Sequence, residues 1–468
     1  MTRPMVDPIQ DDDSAVSLPL AILAETASLP PLIEGRSARA PRAVNSTLPN
    51  GLHTLVVRRP TVPMVEVRLR IPLAASSSRI AAATTARGSL MSSSMLFGTA
   101  ERSQEQLAND LALVGANLSV SADTDRLLFS MAVLRTGLST VFNLLADVVT
   151  SASYPAAEVA AERARLGQRI TMALSQPGVV ARLARARRLF GEHPYAQTMP
   201  DPAVVAGLDA ATLRRTHRDR VRPYGATLVV VGDVQPATVV KLATSAFADW
   251  VGPARSSRVL KLPDFDPVGI TLEDRPGAVQ SNLRLGGAAV GRDHPDYPAL
   301  QLANLVFGGY FSSRLTENLR ERNGFTYSPH SGIDHAVAGS TFLINADVAS
   351  EVTARAVHET WYELGRMALA PITQDELDLA RRYALGSLAL STATQAGLAS
   401  TLSSLVGQGL APGWLAEYQK SVAGVRIEDV QEVSRRYLSV SSLATVVVGD
   451  ASVVRNSLGA LAVVRAAE

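Results

Sequence analysis

Thr227-Leu228-Val229-Val230-Val231-Gly232-Asp233 is an unbroken apolar, mostly β-branched run closed by a Gly-Asp turn. Such a run is too short for a free-standing helix and reads as a strand buried on both faces. It returns as Ala444-Thr445-Val446-Val447-Val448-Gly449-Asp450. Both copies follow a segment with paired arginines, Leu213-Arg214-Arg215 and Ser434-Arg435-Arg436. Working outward, Pro155-x-x-Glu158 recurs near Thr373-x-x-Glu376, Leu96-Phe97-Gly98 as Val306-Phe307-Gly308, and Gly115 as Gly324. The blocks keep their order at a nearly constant offset, which chance similarity would scatter, so the chain is an internal duplication.

Between these landmarks each half mixes strand and helix patterns. Val65, Val67, Leu69 and Ile71 alternate with Glu66, Arg68 and Arg70, the period of a half-buried strand. Ser103 with Gln106 forms a capping box, Leu107, Leu111 and Val114 the apolar stripe, and Gly115 the stop. Leu118 to Leu134 reads as two strands around Thr124-Asp125. Helices are expected over Leu138–Ser151, Ala156–Leu174 and Gly178–Leu189. The fold class is α+β: two homologous halves, each a mixed β-sheet packed against helices. The expected organisation is a proline-rich arm over 1–45, a first half over 46–251, a linker over 252–278 and a second half over 279–468. Pro253, Pro263, Pro267 and Pro276 mark the linker.

Composition excludes several chemistries. The 468 residues are 47% hydrophobic and 19% charged, which is core-forming material. The formal net charge of +2 gives no electrostatic footprint for nucleic acid. There is no cysteine, hence no disulfide, thiol catalysis or Cys-held metal. No apolar run is long enough for a membrane span. The best signal-peptide candidate, Val16 to Ala24, is short, holds Pro19 and follows three aspartates, so a cytoplasmic chain is expected, with the periplasm left open. No two of the seven histidines have the three- or four-residue spacing of ligands on one helix face. The cluster Ser92-Ser93-Ser94 lacks the nucleophile-elbow glycines, and Gly308-Gly309 lacks a phosphate-loop pattern.

The order of these blocks resembles the pitrilysin/insulinase-like (inverzincin) zinc peptidases, which include mitochondrial processing peptidase-like proteins. The resemblance covers residues 46 to 455. Gly88 to Thr99 stands where the family carries G-x-A-H-x-x-E-H-M-L-F-x-G-T, with Met95-Leu96-Phe97 and Gly98-Thr99 fixing the register. It implies that Leu90 and Ser94 replace the two zinc histidines and Ser93 the general-base glutamate. In Glu162-Arg163-Ala164-Arg165-Leu166-Gly167-Gln168-Arg169 the first glutamate of the family pattern is kept, and Arg169 replaces the third ligand. Neither leucine nor serine substitutes for imidazole or a carboxylate base. No metal or other cofactor is expected in this chain, and no hydrolysis by it alone.

The second half keeps more. Phe307 to Ser328 is similar to the family pattern G-G-x-x-S-S-R-L-x-x-x-L-R-E-x-x-G-L-x-Y-S. Read from the residues, Ser313 can cap a helix whose Leu315 and Leu319 face inward, Gly324 ends it, and Tyr327 opens a strand. That brings Arg320 and Tyr327 into one neighbourhood, where both can donate to a peptide carbonyl. A purely structural pairing of Arg320 with Glu317, and Tyr327 as a half-buried strand residue, is the competing reading. The resemblance implies that Arg320 and Tyr327 bind substrate opposite a partner's zinc. Gly308 and Gly309 then form a short loop over the chamber or a helix–helix turn. Ser119 to Ala122 stands where the family has its substrate-pairing edge strand. The expected function is the noncatalytic, substrate-binding subunit of a heterodimeric zinc metallopeptidase, closing like a clamshell with a homologous H-x-x-E-H chain around a peptide or unfolded polypeptide. The alternative is an inert structural or peptide-binding core-type subunit with no peptidase partner.

Overall fold

The computed structural model describes residues 41–253 and 259–467. Most of the proline-rich arm, including the Val16–Ala24 stretch, and part of the linker lie outside the described residues.

Two six-stranded sheets share one five-strand topology and differ in the edge strand. In the first, β1 (Ala43–Thr47), β2 (His53–Arg58), β3 (Met64–Pro72), β4 (Asn117–Ala122), β5 (Arg126–Leu134) and β6 (Thr227–Gly232) lie in the order β1-β2-β6-β3-β5-β4. In the second, β7 (Ile270–Asp274), β8 (Gln280–Ala289), β9 (His330–Ala336), β10 (Gly339–Ala349), β11 (Leu443–Gly449) and β12 (Val464–Ala466) lie in the order β12-β7-β11-β8-β10-β9. In both, the repeated strand runs parallel to one neighbour and antiparallel to the other: β6 to β2 and β3, β11 to β7 and β8. The edge strands differ, β1 being antiparallel to its neighbour and β12 parallel.

The apolar runs that revealed the duplication are buried on both faces. Leu228 and Val230 point into the core built by the first half's own helices. Val229 and Val231 point the other way, against Leu398, Ala399, Leu402 and Leu405. Those four belong to helix Gln395–Gly407 of the second half. The reverse exchange also occurs: Val446 and Val448 of β11 pack on Ala181 and Ala184 of helix Pro177–Phe190 from the first half. Each half therefore lends one helix to cover the other's sheet. Small alanines let helix and sheet approach closely, and burial of apolar area on both faces is the main force joining the halves.

A polar clasp reinforces the exchange. Tyr195 Oη donates to Asp125 Oδ1 at 2.7 Å and accepts from the Ala338 N–H at 2.9 Å. Asp125 Oδ2 accepts from the Val337 N–H at 3.0 Å. The β4–β5 turn of one half is thus tied to the β9–β10 turn of the other.

The helix punctuation is visible in detail. The Ser103–Gln106 capping box forms in both directions, as does Thr373–Glu376. Gly115 and Gly324 both take left-handed backbone, with φ +61 and +63. Two element limits differ from the composition-based organisation. Strand β1 begins inside the segment read as arm, and β7 lies inside 252–278. The prolines flank β7 rather than interrupt it, so its N–H groups stay free to pair with β11.

Candidate functional site

Helix Ala81–Ser94 and helix Ala156–Ser175 carry the residues that the resemblance sets in the family's zinc positions. Leu90 is fully buried in the first core. Ser93 Oγ donates back to the carbonyls of Ser89 and Leu90, the local bonding serine makes near a helix end. Ser94 Oγ is buried and makes no hydrogen bond among the described residues. Glu162, with a side chain 8% exposed, accepts from Arg165 Nε at 2.8 Å and Arg169 Nη2 at 2.7 Å. Burial by itself would raise its carboxyl. Hydrogen bonds from Arg169 and Arg165 outweigh that and hold it below the usual glutamate range. Two guanidiniums therefore neutralise the Glu162 carboxylate. An aliphatic side chain, two hydroxyls and a cation do not fit zinc. Among the described residues no cluster of three or more His, Asp or Glu side chains could hold a metal.

The second site is in the other half. Helix Tyr297–Asn304 runs into a π-helical turn, Leu305–Gly309. A short turn, Arg314–Thr316, capped by Ser313 Oγ on the Thr316 N–H, leads into a second π-helical stretch, Glu317–Arg322. Leu315 and Leu319 are fully buried beneath it. Asn323 Nδ2 donates to Asn318 O at 3.0 Å and Asn318 Oδ1 at 2.8 Å, which holds the wide turn closed. Asn318 is itself anchored to buried Glu363 at 2.8 Å. Wide turns of this kind occur often at functional sites. Here the turn sets the direction in which Arg320 leaves the helix.

The Arg320 guanidinium lies between two rings, 4.8 Å from the Phe311 centroid and 4.7 Å from that of Tyr327. Its Nε faces Glu321 at 3.2 Å. Its two terminal nitrogens make no hydrogen bond among the described residues. Tyr327 is 80% exposed and Phe311 64%. With Gly308, Gly309 and His330 they line an open cleft of about 270 Å³. The rings orient the cation without consuming its donors, so the fork can bind a carbonyl or carboxylate oxygen.

The expected site residues thus fall into two groups in separate halves: Leu90, Ser93, Ser94 and Arg169 in the first, Gly308, Gly309, Arg320 and Tyr327 in the second. Details differ from the sequence reading. Arg320 does not pair with Glu317; Glu317 is bonded to Arg322 at 2.6 Å. Tyr327 does not open a strand but sits at a bend three residues before β9. Gly308 and Gly309 end a helical turn rather than form a loop. A Cβ on Gly308 would lie 2.7 Å from Ser331 Oγ, and one on Gly309 2.7 Å from Asn304 Nδ2, so close packing requires both glycines. Ser119 to Ala122 does lie on an edge strand, β4. Sequence reasoning missed Phe311. Its only signal was an aromatic pair, Tyr310-Phe311, placed just ahead of the Ser-Ser cap.

Comparison with known proteins agrees with this architecture. The family model described as insulinase (peptidase family M16) matches residues 90–203. The model described as the peptidase M16 inactive domain matches residues 207–383. An uncharacterized zinc protease of Mycobacterium tuberculosis is 27% identical over 414 residues, covering 86% of this chain and 92% of its own. One from Bacillus subtilis is 22% identical over 350 residues, covering 74% and 83%. Among solved structures, a peptidase M16 inactive domain from Pseudomonas fluorescens superposes with a TM-score of 0.81 at 24% identity, covering 87% of this chain and 98% of that one. A protease from Helicobacter pylori gives 0.79 at 18% identity, covering 87% and 99%. The two structural likenesses show the fold. Two models of one peptidase family follow each other along a chain whose halves share one five-strand sheet topology, and the chain therefore belongs to the pitrilysin/insulinase-like M16 peptidase family.

Proposed function

We propose that this chain is the noncatalytic, substrate-binding subunit of a heterodimeric zinc metallopeptidase. A homologous H-x-x-E-H chain supplies the zinc, the water and the glutamate base. This chain supplies Arg320 and Tyr327 to hold an extended peptide across a shared chamber. The observation that carries the reading is an asymmetry between the halves. In the first, Arg169, which the resemblance sets at the third ligand's position, is ion-paired with Glu162. In the second, Arg320 is held between two rings with its terminal donors facing an open cleft. A scaffold has no use for an oriented guanidinium beside an exposed phenol. The zinc protease names of the relatives fit the same reading.

In such a pair, the H-x-x-E-H chain would hold the zinc, which would supply a water-derived nucleophile for the scissile carbonyl. Arg320 and the Tyr327 hydroxyl donate to neighbouring peptide carbonyls, fixing the strand so that the reacting bond meets the nucleophile. The test is peptidase activity of this chain alone, of an H-x-x-E-H chain encoded beside it alone, and of the two mixed. Activity in the mixture only supports the proposal. A mixture no more active than the H-x-x-E-H chain alone overturns it.

A further inference from the structure

Next to the Arg320 cleft lies a second, strongly basic recess that the proposed peptide binding does not yet use. It occupies about 310 Å³ and shares Ser328 and His330 with the first cleft. Its floor is a cross-strand row: His330 on β9 pairs in register with Asn345 on β10, which pairs with Arg284 on β8. Its roof is the first part of helix Pro177–Phe190, the helix lent by the first half, which contributes Arg182 and Arg185.

The recess has unspent donors. Arg185 is 8% exposed and Arg284 7%. Arg185 Nη1 donates to Asn345 Oδ1 at 2.7 Å, and no carboxylate lies within ion-pair distance of it among the described residues. Arg284 bonds Asp347 Oδ1 at 2.7 Å and the carbonyls of Leu283 and Ala346, all through Nη1. The remaining nitrogens of both forks make no hydrogen bond among the described residues and are not fully buried, and both residues line the recess. Arg182 is exposed beside them. Three guanidiniums and His330 thus face one lining carboxylate, Asp347. Burial, and then the like charge of Arg284, pull Arg185 down to about 10. The helix end above them has no side-chain cap, and its dipole adds positive potential.

Arg284 has Asp347 as its anion, but Arg185 is buried beside it with Asn345 as hydrogen-bond partner and only the more distant charge of Asp334 in its favour, an arrangement that a ligand's negative charge would stabilise. Strand β10 also runs on past its pairing with β9, which ends at Asn345. An extended chain leaving the Arg320 cleft past Ser328 arrives here.

We propose that this recess is a carboxylate subsite for the bound peptide, with the Arg185 fork as its principal donor and Arg182 and Arg284 as supporting charges. This rests on the peptide-binding reading above and narrows it to peptides that present a carboxylate to the recess. The carboxylate belongs either to a Glu or Asp side chain or to the peptide's C-terminus.

The test uses the full chain and matched fluorescein-labelled decapeptides in an anisotropy titration. One series exchanges a single Glu for Gln along the peptide; another exchanges a free C-terminus for an amide. A charge-assisted, two-pronged contact predicts roughly tenfold tighter binding of the carboxylate member in one series. The series showing the preference identifies the source. Arg185→Gln should abolish the preference. The exposed Arg182→Gln, which leaves the packing intact, should reduce it severalfold, so the proposal stays testable if Arg185→Gln does not fold. Equal binding within both series overturns the subsite while leaving the peptide-binding subunit standing. A preference that survives both substitutions also overturns it. A preference in a chain that never activates an H-x-x-E-H partner supports the subsite and overturns the subunit proposal. No binding of any peptide overturns both.

Discussion

The guanidinium of Arg320 lies over the ring of Tyr327, 4.7 Å from its centroid, and over that of Phe311, at 4.8 Å. The stack fixes the cation while the Tyr327 hydroxyl remains outside it. Arg320→Ala is predicted to lower kcat/KM of the reconstituted pair by about 100-fold, the scale of removing an oriented donor at a reacting carbonyl. Arg320→Lys should not rescue it, because an ammonium lacks the planar fork. Tyr327→Phe keeps the stack and loses only the donor, so a smaller, roughly tenfold loss is expected. Because Tyr327 is exposed and Arg320 is half-buried at the cleft wall, stability should move little, by less than about 0.5 kcal/mol. Steady-state kinetics and urea titration of each variant check both halves of this prediction.

Gly308 is packed against the strand that follows the site. A methyl group there would meet Ser331 Oγ at 2.7 Å and Leu315 Cδ2 at 3.1 Å. Gly308→Ala should destabilise the fold by about 1–3 kcal/mol through overpacking. It should also weaken peptide binding, since Leu315 supports the turn that carries Arg320. Gly324→Ala is strained for a different reason, its φ of +63, and should cost about 1 kcal/mol without a change at the cleft wall. Denaturation and peptide titration of the two variants separate the causes.

The clasp between the halves depends on one hydroxyl. Tyr195→Phe removes the donor to Asp125 and the acceptor of the Ala338 N–H while keeping the ring. A buried carboxylate oxygen and a backbone N–H then lose their partners, at about 1–3 kcal/mol. Equilibrium urea unfolding measures the loss. Hydrogen exchange should localise it to the β9–β10 turn and the β4–β5 turn together. Exchange confined to one half would show that the clasp does not couple them.

His335 gives a pH dependence with a definite sign. Burial, and then the charge of Arg292, lower it from 6.5 to about 4. Its Nδ1 lies 2.7 Å from Ser340 Oγ, and its ring stands edge-on to Tyr297 at 5.3 Å. The folded state therefore keeps the imidazole neutral where the unfolded chain protonates it. Its contribution to stability is complete above about pH 6.5 and is lost as pH falls toward 4. His335→Gln should flatten the stability profile across that window. A variant profile parallel to that of the original protein would assign the acid sensitivity elsewhere.

Much of the fold was legible because its strongest signals are local. The runs at 227–233 and 444–450 read as two-sided strands, and two-sided burial is what they have. The Ser103–Gln106 box and the glycines at 115 and 324 mark helix limits wherever they occur. The exchange of helices was not legible, because Ala181 and Ala184 advertise close packing without saying on which sheet. The wide turns were missed for a similar reason. They depend on Asn318 bonding Asn323 and on Ser331 approaching Gly308, contacts that spacing does not encode. Strand β7 was hidden by the prolines around it. At the site, Arg320 and Tyr327 could be paired from sequence, but Phe311 and the arginines above β8 and β10 come together only in three dimensions.

Division of labour between two chains is tested most directly by titrating a fixed amount of the H-x-x-E-H chain with this one, measuring peptide hydrolysis and the zinc content of each chain. The prediction is activity that rises to a plateau at equimolar ratio, zinc confined to the H-x-x-E-H chain, and no rise when Arg320→Ala is titrated instead. Hydrolysis by this chain alone with bound zinc, or a plateau unchanged by Arg320→Ala, would contradict it.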